Sequence, residues 1–278
     1  MIPVLDDLRG KVIIITGGNK GIGSGCAAAF CECGCHVVIA GRDAPRGKSL
    51  ADELSRKGPG TCEFHPCDVS KDEQVRDLAA YAVRVHGRID CCINNAGFLP
   101  QRRAIDEITA EDFETVLRTN LLGVFSGCKY CLPHLRVTRG SIINMSSILG
   151  RVGQDGSSIY AATKGAIISL TKSPAMDEAR HGVRVNAVLP GNIQSELGKG
   201  NEEMPVGAEQ EMRAQQVSNT VQWIRRQGTP LEIGWTCVYL ASEMASYVTG
   251  AEICATGGFE LGNGVRLTRE EMAKAPVR

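Results

Sequence analysis

The stretch KVIIITGGNKGIGSGCAAAF, residues 11–30, decides the fold. Lys11 to Thr16 is a continuous, mostly β-branched run, the composition of a strand covered by helices on both faces. It passes directly into a turn carrying Gly17, Gly21 and Gly23, and then into an Ala-rich segment of helical character. Strand, glycine turn and helix in that order bring backbone N–H groups and a helix N-terminus to where a pyrophosphate can sit, with Lys20 and Ile22 between the glycines. The spacing is G-x-x-x-G-x-G, not the G-x-G-x-x-G of the general dinucleotide fingerprint.

Outward from this unit the alternation repeats. Further strands read at Cys35–Ala40, in CEFHPCDV (62–69), at Ile89–Ile93, at Ser141–Met145, in HGVRVNAVLPGNI (181–193) and in TGAEICATGG (249–258). Amphipathic segments separate them: one within 44–60 stopped by Gly58-Pro59-Gly60, then 70–87, about 109–132, 160–180 and 231–242. Alternating strands and helices predict an α/β fold, a single Rossmann-type doubly wound domain over 1–278 with a parallel sheet. Residues of about 194–220 are polar and read as a mobile substrate lid or a surface helix pair, and the tail of about 268–278 reads as disordered.

Composition narrows the function classes. Lys+Arg and Asp+Glu both number 31 in 278 residues, so net charge gives no case for nucleic acid or a membrane surface. No apolar stretch reaches 18 residues and the N-terminus is too polar for a secretion signal, so a cytoplasmic protein is expected. Several of the 12 cysteines lie in apolar segments and read as small buried hydrophobes, and the lone C-x-x-C at Cys128/Cys131 is poor support for a metal.

Chemistry concentrates in SIINMSSILGRVGQDGSSIYAATK (141–164). Tyr160 and Lys164, four apart, share a face if YAATK opens a helix. An ammonium near a phenol favours phenolate, so the phenol is expected to titrate lower than usual and to trade protons with a substrate oxygen. Ser147, at the end of a strand, is placed to hydrogen-bond that oxygen. A Tyr–Lys pair at this spacing is also ordinary surface decoration.

Other candidates lie at strand ends. Arg42, with Lys20 nearby, suits a 2′-phosphate and favours NADP over NAD; Asp43, two positions past the tip, supports NAD, and Arg42 also reads as a solvated loop cation. Asp68, followed by Val69, suits an adenine amino group or a helix cap. Asn94, Ala96 and Gly97 suit close approach of a bound ring, or are simply a turn. Asn120 stands inside a helical stretch, where Asn is mildly unfavourable.

Together T16-G17-x-x-x-G21-I22-G23, N94-N95-A96-G97, Asn120, Ser147, Y160-x-x-x-K164 and P190-G191 resemble the short-chain dehydrogenase/reductase family over about residues 10–260. Within it, GVRVNAVLPGNI (182–193), YAATKG (160–165) and ATGGFELGNG (255–264) are similar to the stretches of a 17β-hydroxysteroid dehydrogenase that uses NAD and has an acidic residue where this chain has Gly41. The resemblance implies a seven-stranded sheet, a homotetramer or homodimer, and hydride transfer between a nicotinamide and a secondary alcohol or ketone, a steroid or a sugar. It implies Tyr160 as acid/base, Lys164 on the nicotinamide ribose, Ser147 on the substrate oxygen and Asn120 holding a relay water. Pro190, Gly191 and Ile193 would flank the nicotinamide, and Gln154 would line the substrate site. A non-catalytic dinucleotide-binding scaffold or redox sensor is the alternative.

Overall fold

Strand-length apolar runs need cover on both faces, and alternating helices supply it. The computed structural model describes residues 6–194 and 222–262. Seven strands pair in parallel: β1 Val12–Thr16, β2 His36–Gly41, β3 Thr61–Pro66, β4 Cys91–Asn94, β5 Ser141–Met145, β6 Arg184–Pro190 and β7 Glu252–Ala255. Their order is β3-β2-β1-β4-β5-β6-β7. Helices α1 Gly21–Glu32, α2 Ala44–Lys57 and α7 Pro230–Ala241 cover one face, and α3 Asp72–His86, α5 Gly123–Thr138 and α6 Ser158–Glu178 cover the other.

The cysteines are core residues. All are free thiols and only Cys254 is less than fully buried. Consecutive strand residues face opposite ways, so Cys91 enters one core and Cys92 the other. Where α1 crosses α7 the backbones nearly touch. A Cβ on Gly25 would stand 2.2 Å from Pro230 C, and Cys26 Sγ lies 3.8 Å from Cys237 Sγ.

Two expectations need correction. The third strand stops at Pro66, so Asp68 and Val69 lie in the following loop. The helix expected over 109–132 is three segments: α4 Ala110–Leu117, a π-helical turn Arg118–Leu122, and α5, which continues to Thr138. The expected lid, past Gln194, and the expected tail lie outside the described residues.

Strand order reverses between β1 and β4, which opens a crevice at the carboxyl ends of the strands. The glycine turn, residues 41–43, residues 95–97, Ser146–Ser147 and Gly191 all leave strands at that edge.

Candidate active site

β5 ends at Met145, and two hydrogen bonds tie that end to α6. Lys164 Nζ donates to Met145 O at 2.8 Å, and Ser146 Oγ donates back to Lys164 O at 2.8 Å. Gly150 lets the intervening loop lie flat on the helix, since a Cβ there would be 2.8 Å from Lys164 C. Ser147, whose Oγ accepts from Leu149 N at 3.2 Å, then comes near enough to the Tyr160 phenol to favour its ionised form. The structure therefore brings Ser147, Tyr160 and Lys164 together.

The electrostatics differ from the expectation. Tyr160 is 5 % exposed and Lys164 4 %, so desolvation governs both. Burial pushes the phenol up to about 12, opposed by the nearby Ser147 hydroxyl. Burial also pulls the Lys164 ammonium down to about 8. Lys164 Nζ stands 5.5 Å from the Tyr160 ring centroid and is bonded to a neutral carbonyl. In the free protein the lysine does not lower the phenol; both groups move toward their neutral forms.

Asn120 projects from the π-helical turn, a geometry frequent at functional sites. Its Oδ1 accepts from Phe98 N at 2.9 Å, and its Nδ2 donates to Phe98 O at 3.0 Å and to Thr163 Oγ1 at 3.4 Å. The amide expected to hold a water is here committed to the loop after β4 and to α6. A Cβ on Gly97 would lie 3.2 Å from Asn120 Oδ1 and 3.6 Å from Lys164 Nζ, so Gly97 runs close to both side chains.

The glycine turn fits a dinucleotide. Gly17 and Gly21 have φ of 62° and 53°, and a Cβ on Gly23 would be 2.2 Å from Gly17 O. The N-cap of α1, Lys20, makes no side-chain cap, and Ile22 follows in the first turn, so N–H groups there remain for phosphate oxygens. Asn95, passed over in favour of Asn94, holds this turn: its Nδ2 donates to Thr16 O at 2.8 Å and Gly17 O at 3.1 Å. Ala96 N donates to Thr16 Oγ1 at 3.0 Å. Asn94 instead bonds Asn144 Oδ1 at 2.9 Å, and Asn144 reaches Thr171 Oγ1 at 3.0 Å. That is a buried polar chain running from β4 through β5 to α6. Adjacent amides in a strand point to opposite faces, which is the signal that separates the two.

At the adenosine end, Gly41 lies against Asn19, whose Oδ1 would be 2.6 Å from a Cβ there. Asp43 caps α2 by accepting from Arg46 N at 3.1 Å. Arg42 and Lys20 are exposed and form no ion pair among the described residues. Asp68 Oδ1 accepts from Ser70 N at 3.0 Å, an Asx turn before α3, and Val69 packs against Gly123. Gly191 abuts Thr256 at the end of β6, Ile193 bridges to Gly228, and Gln154 Oε1 accepts from Ser157 Oγ at 3.0 Å.

Residues 17–260 match the family model described as Enoyl-(Acyl carrier protein) reductase. L-fucose dehydrogenase of Bos taurus is 43 % identical over 96 % of this chain and 96 % of its own length. A 3-oxoacyl-[acyl-carrier-protein] reductase of Chlamydia pneumoniae is 33 % identical over 90 % of this chain and 97 % of its own. The crystal structure of a short-chain type dehydrogenase/reductase from Mycobacterium marinum superposes with a TM-score of 0.82 at 32 % identity, covering 92 % of this chain and 97 % of that one. This chain belongs to the short-chain dehydrogenase/reductase family. It is an oxidoreductase acting on CH–OH groups with NAD(P). No helix among the described residues is long and apolar enough to cross a membrane.

The buried amine has a stability signature. Between pH about 8 and the ordinary lysine value of 10.5, the unfolded chain keeps the Lys164 proton and the folded chain has released it. Stability contributed at this position therefore rises with pH across that window. Lys164→Met is expected to raise the thermal midpoint of the free protein at pH 7 and to flatten that rise. A lower midpoint at pH 7 would show that the Met145 hydrogen bond outweighs desolvation.

Proposed function

We propose that this chain interconverts a small polyhydroxylated secondary alcohol and its carbonyl form, a sugar, with NADP favoured over NAD. The observation that carries the chemistry is the buried Ser147–Tyr160–Lys164 set at the carboxyl edge of the sheet. A bound nicotinamide supplies or accepts the hydride. Tyr160 exchanges the hydroxyl proton, and the Ser147 hydroxyl stabilises charge developing on the substrate oxygen. Lys164, reached from Gly97 and the end of β5, stands where it can hold ribose hydroxyls. Gly17, Lys20, Gly21, Ile22 and Gly23 would take the phosphates.

Three features support NADP. No carboxylate stands at Gly41, Asp43 is engaged as a helix cap, and Arg42 with Lys20 leaves two exposed cations beside the β2 tip. The sugar reading draws on the relatives named L-fucose dehydrogenase and on the polar loops near Tyr160, with Gln154, Arg103–Asp112 at 2.8 Å and Arg102–Asp155 at 3.7 Å. A hydroxysteroid, suggested by the likeness to 17β-hydroxysteroid dehydrogenase type 14, is the second reading; the apolar Phe98 and Leu99 in the loop after β4 favour it.

A homodimer or homotetramer is also inferred. A groove of about 640 Å³ whose lining does not include Tyr160 is formed by Phe113, Leu117, Leu121 and Phe125 with Glu114 and Arg118. Glu114 and Arg118 have no ion-pair partner among the described residues, and a two-fold axis would set each against the other on a second copy. A solution mass of one 29.8 kDa chain would remove this inference.

Two variants test the chemistry. Tyr160→Phe is expected to lower turnover by about 10²-fold or more while dinucleotide affinity stays unchanged; turnover within a few-fold of the parent would exclude Tyr160 as the acid/base. The parent is expected to bind NADPH more tightly than NADH, and Arg42→Ala to erase about tenfold or more of that preference. Equal affinities in the parent would overturn the cofactor assignment.

A further inference from the structure

Two loops run beside Tyr160, and a joint between them serves none of the steps above. The first follows β4, from Gly97 to Thr109; the second joins β5 to α6, from Ser146 to Ser157. Arg103 N donates to Gly156 O at 3.1 Å. Gly156 has φ of 63°, and a Cβ built on it would meet Arg102 Cβ at 3.0 Å and Arg103 N at 3.3 Å. Asp155 reaches Arg102 at 3.7 Å, an exposed pair that adds little by itself. The contact is thus a backbone-to-backbone clasp that a side chain at position 156 would obstruct.

Both loops are anchored elsewhere. The start of the first is held by the Asn120 amide on Phe98. The second is tied early by Arg151 Nε, which donates to Glu252 on β7 at 2.7 Å. Gln154 stands between that tie and the clasp, and Ser157 and Tyr160 follow the clasp directly. A shift at Gly156 therefore passes into the first turn of the helix carrying the acid/base. Misplacement of reacting groups by about 1 Å costs on the order of 10²-fold in rate.

We propose that Gly156 is a positioning residue: by letting the two loops touch through their backbones it sets how a substrate stands against Tyr160. This rests on the reading of these loops as the wall of the alcohol site. Substituting Gly156 acts twice, through a left-handed φ that only glycine adopts freely and through a wedge against Arg102.

The test compares the full-length parent, Gly156→Ala, and Gly156→Ala combined with Arg102→Gly, which removes the Cβ that the new methyl meets. With whichever alcohol of a sugar and steroid panel the parent oxidises, Gly156→Ala is expected to raise KM or lower kcat by about tenfold or more. NADPH affinity should hold within twofold, the thermal midpoint should fall by no more than about 4 °C, and the double variant should recover part of the loss. Unchanged kinetics overturn the proposal. So does a loss of NADPH affinity in step with the kinetic loss, because the whole helix would then have loosened. If the parent oxidises no alcohol in the panel, the functional reading fails and hydrogen exchange at the Arg103 amide decides the clasp. Protection in the parent that is lost in Gly156→Ala supports it, and equal exchange in both overturns it.

Discussion

The catalytic end of this molecule depends on a reciprocal pair of hydrogen bonds between a strand end and a helix. Lys164 Nζ to Met145 O and Ser146 Oγ to Lys164 O lock α6 onto the end of β5. Neither bond belongs to a helix or sheet ladder, and both are buried, where an unmade partner is costly. Because Ser147 follows Ser146 and Tyr160 lies one helical turn before Lys164, the same pair fixes the serine and tyrosine hydroxyls against each other. Proton transfer needs that geometry before it needs any particular pKa.

Burial sets the electrostatic state. With only a carbonyl and a hydroxyl as close polar partners, the amine and the phenol both favour neutrality in the free protein. A dinucleotide would meet a glycine turn already held by Asn95 and a Lys164 amine already close to Gly97. What it changes is the local charge. On the proposed chemistry a lowered phenol value belongs to the loaded site, and the free chain holds a buried amine, bonded to a single carbonyl, at some cost in stability.

Much of this was legible in the sequence because it rests on local patterns. The β-branched run into Gly17–Gly23 specified the first strand–turn–helix unit, and strand alternation specified a parallel doubly wound sheet. Tyr160 and Lys164 were legible because helical spacing alone puts them on one face. The pKa directions were not, because burial depends on residues from separate elements that sequence spacing does not bring together. Asn120 was readable as anomalous, yet its bonds to Phe98 depend on a π-helical turn that propensity does not encode. Asp68 was assigned to the end of a strand read over CEFHPCDV (62–69), whereas the strand stops at Pro66 and Asp68 forms an Asx turn with Ser70.

Among the described residues, the two loops beside Tyr160 carry ion pairs, amides and one left-handed glycine together with apolar side chains such as Pro100 and Ile108. The central claim concerns the pocket that β5 and α6 close around the phenol. The chain has five tyrosines, few enough for ring-carbon NMR of labelled protein to resolve the resonance missing in Tyr160→Phe. That resonance should stay un-ionised through pH 10 in the free protein and titrate at lower pH once NADP⁺ is bound. Ordinary tyrosine titration in the free protein, or no shift on loading, would contradict the account.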